Sequence, residues 1–373
     1  MYKNLGQWPC ATRRLALKSL ASTGIGLASP ALLAQSPPGP LKIGFVFVTP
    51  VTETGWTAQH NLGRLHIEKA LGSKVQTRYV ENVPEGPDAE RVIRDLASEG
   101  HQLIFTTSFG YMEPTLKVAK DFPKVAFEHV SGYKRAANVA TVNARFYEGR
   151  YLAGMIARKM SAGGVAGYVA AFPIPEVLQG INAFTLGMQS VNPKAQVKVI
   201  WTSSWFDPGK EREAAMTLIN QGADVLAYHT GSSAVIQAAE EKGKFSIGYH
   251  SDMSKLAPKG QLVAVTHHWG DYYTGVARAV LEGRWKPSSP GVWGGVGEGF
   301  IKLAAIHPNV PADFLAIVTR RTQEIATRKF HPFSGQLKDN EGGERQASGT
   351  LGDMQLGAMN YFVAGVQGSV PKM

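Results

Sequence analysis

"LKIGFVFVTPVTETGWTAQHNLGR" (residues 41–64) sets an apolar run against a polar loop and then a helix-like stretch. The run "LKIGFVFV" has the length and the branched and aromatic content of a buried strand. "TAQHNLGRLHIEKAL" (57–71) reads as a helix. Trp56 therefore sits where a strand hands over to a helix N-terminus. A ring in that position is either a plug for a nearby core or a platform for a ligand.

The same handover recurs along the chain. Strand-like runs "KVQTRYVE", "QLIFTTS", "KVAFEHV" and "NVATVNA" alternate with helix-like "DAERVIRDLASEG" and "EPTLKVAKDFP". The cadence then restarts with "GVAGYVAAF", "QVKVIWTSS", "ADVLAYHT", "KFSIGYH" and "QLVAVTHH", separated by "PEVLQGINAFTLGMQSV", "GKEREAAMTLINQG" and "SAVIQAAEEKG". Short strands alternating with helices predict an α/β fold whose parallel sheets are covered on both faces. Two such sets in tandem predict two doubly wound, Rossmann-like lobes with a hinge and an interlobe cleft. A length of 373 residues, too great for one small core, agrees. Later come "WGDYYTGVARAVLEGRW", a loop "PSSPGVWGGVGEG" (287–299), a strand "FIKLAAI" and a helix "PADFLAIVTRRTQEIATRKF".

In open sheets of this kind, ligands collect at the carboxyl ends of the strands. Five loops meet that condition: the one holding Trp56, "SFGYMEP" (108–114), "SWFDPGKE" (204–211), "HTGSS" (229–233) and "HSDM" (250–253). Loops are ordinarily polar, yet these carry Trp56, Phe109, Tyr111, Trp205 and Phe206. Such a cluster predicts a flat, apolar guest held by stacking, with Trp56 and Trp205 as the two sides of a clamp. Two stacked rings supply ~1–3 kcal/mol each.

The N-terminal 34 residues differ in kind. A basic head, "TRRLALKS", precedes the weakly apolar "LASTGIGLASPALLAQ", the build of a removable export signal. Paired Arg13 and Arg14 fit a twin-arginine type, with Ala16 as a departure. The run is too short and glycine-rich for a membrane anchor. Cleavage after Ala34 removes Lys3, Arg13, Arg14 and Lys18 with no acid, so the formal charge of +10 falls to +6. It also removes Cys10, the single cysteine, which excludes a disulfide, a thiol nucleophile or a cysteine-ligated metal from the mature chain. A charge of +6 with no dense Lys/Arg run is no nucleic-acid footprint. The expectation is an exported, periplasmic protein.

No catalytic constellation stands out: the chain lacks a G-x-S-x-G elbow, a phosphate-binding G-x-x-x-x-G-K-S/T loop and H-E-x-x-H. "GGVGEGF" (294–300) has the wrong spacing for a dinucleotide fingerprint. His267 and His268, adjacent in a strand, point to opposite faces and share no metal. No metal, no cofactor and no enzymatic activity are expected. Asp207 reads as the cap of a helix starting at Pro208.

Five stretches together resemble the BMP family (basic membrane protein, or purine nucleoside receptor-like), the exported binding components of ABC importers. They are "KIGFVFVTPVTETGW", "NARFYEGRYLAGMIARKM", "VLQGINAFTLGMQSVNP", "WFDPGKEREAAMTLINQGADVL" and "SIGYHSDM". The resemblance covers nearly the whole mature chain and implies the type I periplasmic binding protein fold with a purine in its cleft. It implies lobe 1 over 41–143 and 269–297, lobe 2 over 144–268 and 298–330, and a tail over 331–373 packed on the lobes. By position, Trp56 and Trp205 fall where members place rings on either face of the base, and Gly231 where a glycine lies close to the ligand. Glu148, in "EGRYLAG", faces the cleft or fixes the hinge.

Three departures narrow the ligand. Nucleoside-binding members carry an aspartate at the end of strand one, an aspartate after the "IG" strand and a lysine in the next strand, all meeting the ribose. Here "FVFVTP" has no carboxylate, "GYHSD" puts His250 in the second slot, and "VTHHW" has histidine, with His268 a candidate, in the third. An unmatched buried hydroxyl costs ~1–3 kcal/mol, so the expected ligand is a free purine base. Adenine leads over hypoxanthine, guanine and xanthine because Asp252 or Glu148 is available to accept from an exocyclic amine. The implied partner is an inner-membrane ABC permease, and the protein is expected to be a monomer. The competing readings are a nucleoside receptor that holds ribose through His250 and Thr230, a secreted purine nucleoside hydrolase, and a regulator's sensing domain.

Overall fold

The opening apolar run is strand β1 (Leu41–Val46), with Ile43, Phe45 and Val46 fully buried. The computed structural model describes residues 39–372, so the expected signal over 1–34 and Cys10 lie outside the described residues. Four further strands follow, β2 (Val75–Val80), β3 (Leu103–Thr106), β4 (Ala126–Val130) and β5 (Val139–Ala144). A second set comprises β6 (Val165–Ala170), β7 (Gln196–Trp201), β8 (Val225–His229), β9 (Phe245–His250) and β10 (Gln261–His267). The tail adds three strands of two or three residues each, and two short strands, β11 (Val292–Gly294) and β12 (Ile301–Ala304), complete the two sets.

These strands make two sheets with one plan. The first runs β11-β5-β4-β3-β1-β2, and every pairing in it is parallel. The second runs β12-β10-β9-β8-β6-β7, parallel except where β12 lies antiparallel to β10. In each, the first strand of the set sits between the second and the third. β3, β4, β5, β8 and β10 are buried along their whole length, as parallel strands covered on both faces must be.

Helices α2 (Pro87–Ser98) and α3 (Met112–Asp121) join strands of the first sheet, and α7 (Ala234–Glu241) joins β8 to β9. The chain passes between the sheets three times. After β5, helix α4 (Phe146–Met160) leads into β6, and it packs on α5 (Pro175–Val191). After β10, helix α8 (Gly270–Leu281) returns to pack on α1 (Trp56–Leu71) and feeds β11, and from there the chain crosses back to β12. The stretch 287–299 therefore departs from the loop expected for it. It contains β11, whose Val292, Trp293 and Gly294 pair with Val142, Asn143 and Ala144 of β5. Three residues are too few to show a side-chain period; backbone pairing seats them, with Val292 and Trp293 packed on the core.

Glu148 ties this crossing together. Its Oε2 accepts from the Val296 backbone N–H (2.7 Å) and its Oε1 from Arg328 Nη1 (2.8 Å), with the side chain 1% exposed. The tail lies on the second sheet's side: Asn182 of α5 donates to the Tyr361 carbonyl and accepts from the Val363 N–H, and Val366–Gln367 pairs parallel on β7. Asp353 forms an ion pair with Arg145, just before α4.

One buried carboxyl makes the fold sensitive to pH. Glu128 of β4 accepts from Tyr272 Oη (2.9 Å) and Trp285 Nε1 (2.7 Å), and burial pushes its pKa from 4.5 up to about 7. Between those values the folded chain holds a proton that the unfolded chain releases, so this group's contribution to stability falls as pH rises through the window. Glu128→Gln removes the ionisation. In urea unfolding it should match wild type near pH 4.5 and exceed it by roughly 3 kcal/mol near pH 8; a pH-independent difference would contradict this account.

Candidate functional site

Where strand order reverses in a doubly wound sheet, the loops leaving the two neighbouring strands diverge and open a crevice. In the first sheet that point lies between β1 and β3, and in the second between β6 and β8. One cavity of about 430 Å³, counting the space at its mouth, is lined from both. Val48, Thr49 and Trp56 come from the loop after β1, and Ser108 and Phe109 from that after β3. Ile174 comes from the loop after β6 and Glu176 from the first turn of the helix that follows it, and His229, Thr230 and Gly231 from the end of β8. Ser131 and Trp205 follow β4 and β7, and His250 ends β9.

Each tryptophan is held by its polar edge. Trp56 opens α1 after Gly55, and its Nε1–H donates to the Thr107 carbonyl (2.8 Å). Its ring meets His60 and His250 edge-on, with centroids 4.4 and 5.8 Å apart. Trp205 precedes α6 (Pro208–Asn220), which Asp207 caps by accepting from the Lys210 N–H (3.0 Å), as expected. The Trp205 Nε1–H donates to Glu85 Oε1 (3.3 Å), which also takes Ser108 Oγ and the Gly110 N–H from the first sheet's loops. With an indole's one donor used, only the apolar rings remain to meet a guest.

His250 is held at both nitrogens. Trp269 Nε1 can only donate, and it reaches His267 Nδ1 (2.6 Å). A neutral His267 then carries its proton on Nε2 and donates to His250 Nδ1 (2.9 Å), which leaves His250 Nε2–H to donate to the Thr230 carbonyl (3.2 Å). Burial holds both imidazoles well below the ordinary histidine pKa, and His229, Arg150 and other neighbouring histidines lower them further. The relay also stabilises an unusual backbone, since His250 sits at φ +69°.

Several contacts join loops of the two sheets around the cavity. Ser131 Oγ donates to Glu176 Oε2 (2.8 Å), and Gln59 Nε2 donates to Ser251 Oγ (2.6 Å). Gly55, at φ +99°, faces Gly231 so closely that a Cβ would strike the Gly231 carbonyl oxygen. Glu176 is buried and supplies the cavity's carboxylate, with His229 Nε2 at 3.5 Å from Oε1. Arg150, wholly buried behind it, lies 3.5 Å from the Tyr249 ring centre and donates to the Tyr228 carbonyl (2.5 Å).

Of the residues singled out from sequence, the cavity brings together Trp56, Phe109, Trp205, Thr230, Gly231 and His250. Five others lie elsewhere, each for a local reason. Tyr111 is a core residue, fully buried against Val118 and Phe127, with its hydroxyl on the Val83 carbonyl (2.5 Å). Phe206 packs behind Gly231 instead of lining the cavity. Asp252 closes the turn after β9 by accepting from the Ser254 N–H and Gln261 Nε2, and His268 is exposed and bonded to Thr266 Oγ1. Glu148, expected to face the cleft or fix the hinge, does not line the cavity and instead bonds Val296 and Arg328 at the crossing between β11 and β12. The sequence reading missed Ser131, Ile174 and Glu176, and reached His229 only as part of the loop 229–233. The strand-end rule, applied to β6 as it was to β1, reaches "FPIPE" (172–176).

A family model described as ABC transporter substrate-binding protein PnrA-like (Bmp) matches residues 41–329. The chain is 51% identical over 333 residues to a protein of Brucella abortus named a purine-binding protein, covering 89% of this chain and 94% of that one. It is 34% identical over 331 residues to a Haloferax volcanii protein provisionally named an ABC transporter glucose-binding protein, covering 89% and 81%. Among solved structures, an ABC transporter solute-binding protein from Aeropyrum pernix K1 has a TM-score of 0.68 at 20% identity, over 80% of this chain and 93% of that one. A transcriptional activator of the comK gene from Bacillus halodurans reaches 0.64 at 24% identity, over 78% and 99%. At such identities the structural likeness is one of fold, which a solute-binding protein and a regulator share. The fold and the family match are those of solute-binding proteins, not enzymes.

Two outcomes follow from this geometry. Gly55→Ala should lower stability by about 1–2 kcal/mol in thermal unfolding, from the left-handed backbone and the contact with Gly231; an unchanged melting temperature would show the loop to be slack. In a proton NMR titration, the His250 and His267 ring signals should keep their neutral positions from about pH 8 to about pH 6. A midpoint inside that window for either ring would break the relay assignment.

Proposed function

We propose that this chain, which belongs to the Bmp family of PnrA-like ABC transporter substrate-binding proteins, captures a free purine base, adenine first, and delivers it to a membrane permease. The carrying observation is that Trp56 and Trp205, from loops of different sheets, line one cavity with their N–H groups engaged elsewhere. Rings held by their edges offer faces, and a nucleobase stacked on an aromatic face gains ~1–3 kcal/mol. The Brucella relative's name, at 51% identity, supports a purine over the sugar in the name of the 34% relative. The export signal expected over residues 1–34 fits capture in the periplasm. Among the described residues no helix is long and apolar enough to cross a membrane.

The polar groups favour a base without its sugar. A ribose needs partners for its hydroxyls, and the two residues available to replace those of nucleoside-binding members are occupied. His250 uses both ring nitrogens on His267 and Thr230, and the Thr230 hydroxyl donates to Glu211 Oε2 (2.8 Å). Each ribose hydroxyl buried without a partner would cost ~1–3 kcal/mol.

Calorimetric titration of the mature protein tests this reading. Adenine should bind, adenosine at least about tenfold more weakly, and Trp205→Ala should weaken adenine by more than about tenfold. Equal affinity for adenosine would restore the nucleoside receptor, and turnover of a nucleoside would revive the hydrolase.

A further inference from the structure

The side chains around the cavity can be sorted by what each still offers a guest. Both indole N–H groups are spent, as are both His250 nitrogens and the Thr230 proton. Ser108 gives its proton to Glu85 and Ser131 gives its proton to Glu176, so each hydroxyl keeps only acceptor capacity. The Glu176 carboxylate is the strongest acceptor of the set, only 8% exposed in the first turn of α5. It has room for about four hydrogen bonds and receives one from Ser131, with His229 at the longer distance of 3.5 Å. Apart from the His229 ring, whose Nδ1 has no partner among the described residues, and the Thr49 hydroxyl, shared with Thr57 Oγ1, the side-chain complement thus accepts hydrogen bonds and gives none.

We infer that Glu176 is the specificity-determining residue of the cleft, selecting heterocycles that turn an exocyclic amine toward its carboxylate. The inference rests on the purine reading and deepens it. An amine donates to Glu176 with a charge-assisted bond, about twice as strong as a neutral one. A ring carbonyl in the same place would set two acceptors against each other at a carboxylate only 8% exposed, where such a mismatch is costly. Specificity of this kind comes from the mismatch as much as from the match. Glu176 also receives Ser131 from a loop of the other sheet, so the carboxylate that reads the amine is one of the points where the two loops meet.

This assigns to Glu176 the role that sequence considerations offered to Asp252 or Glu148. Both of those carboxylates are already bonded at a distance from the cavity, Asp252 within its own turn and Glu148 at the crossing segment.

The test is calorimetry of adenine and hypoxanthine, which share a ring frame and differ in an amine replaced by a carbonyl with a proton added at the adjacent N1, on the mature wild type, Glu176→Gln and Ser131→Ala. Wild type should prefer adenine by at least about tenfold, the worth of one charge-assisted bond. Glu176→Gln keeps the shape but presents an amide that can turn its N–H₂ to the ligand, so the preference should collapse or invert. Ser131→Ala should weaken both bases alike and leave their ratio within about twofold, which separates recognition from closure. A Glu176→Gln protein that melts like wild type, binds purines and keeps the wild-type ratio would overturn the inference, as would a wild type that favours hypoxanthine. If wild type binds neither base, the purine reading fails and takes this inference with it.

Discussion

A parallel sheet whose first strand lies between its second and third sends neighbouring loops in opposite directions at one point along its carboxyl edge. This chain builds that reversal twice, as β2-β1-β3 and as β7-β6-β8, and both contribute loops to the same cavity. The rest of the site depends on it. Helix N-termini, aromatic rings and one carboxylate meet there because the loops carrying them leave strands at a reversal, although they are separated by up to about two hundred residues of chain. The three crossings between the sheets allow such a meeting, and Glu148 holds one of them by bonding Val296 and Arg328.

The second governing feature is saturation. A buried polar group left without a partner is costly, and around this cavity most side-chain donors have found partners within the protein. The indoles donate to Thr107 and Glu85, and the imidazole relay ends on Thr230. Polar residues thereby become apolar walls, since an imidazole bonded at both nitrogens offers a guest only its ring. Residue type alone would rank His250 and Thr230 as ribose partners, whereas hydrogen-bond accounting removes them.

The tail contributes in a different way. It lays Val366–Gln367 along the edge strand β7, where an open ladder would otherwise expose its backbone groups, and it anchors on Asn182 of α5. Its Asp353 pairs with Arg145 at the start of α4, so the last forty residues bear on the first crossing between the sheets. None of this shows in local sequence pattern, because the tail's partners lie far back along the chain.

What the sequence determined alone was whatever rests on local period and on strand ends. Apolar runs of four to eight residues spaced by amphipathic helices imply parallel sheets, and the strand-end rule led to Trp56, Trp205 and the loops 229–233 and 250–253, in which the family resemblance singled out Gly231 and His250; all four residues line the cavity. The cap at Asp207 was likewise legible, because a cap is a contact three residues long. Tertiary structure decided the rest. Tyr111 and Trp56 look alike in sequence, each a ring beside a helix start, but one points into a core behind the sheet and the other into the cleft. Glu176 became a cavity carboxylate only when β6 took the same place in its sheet as β1 in its own. Strand order, and the distant partner that satisfies each polar atom, are properties of the folded chain, and no local pattern encodes them.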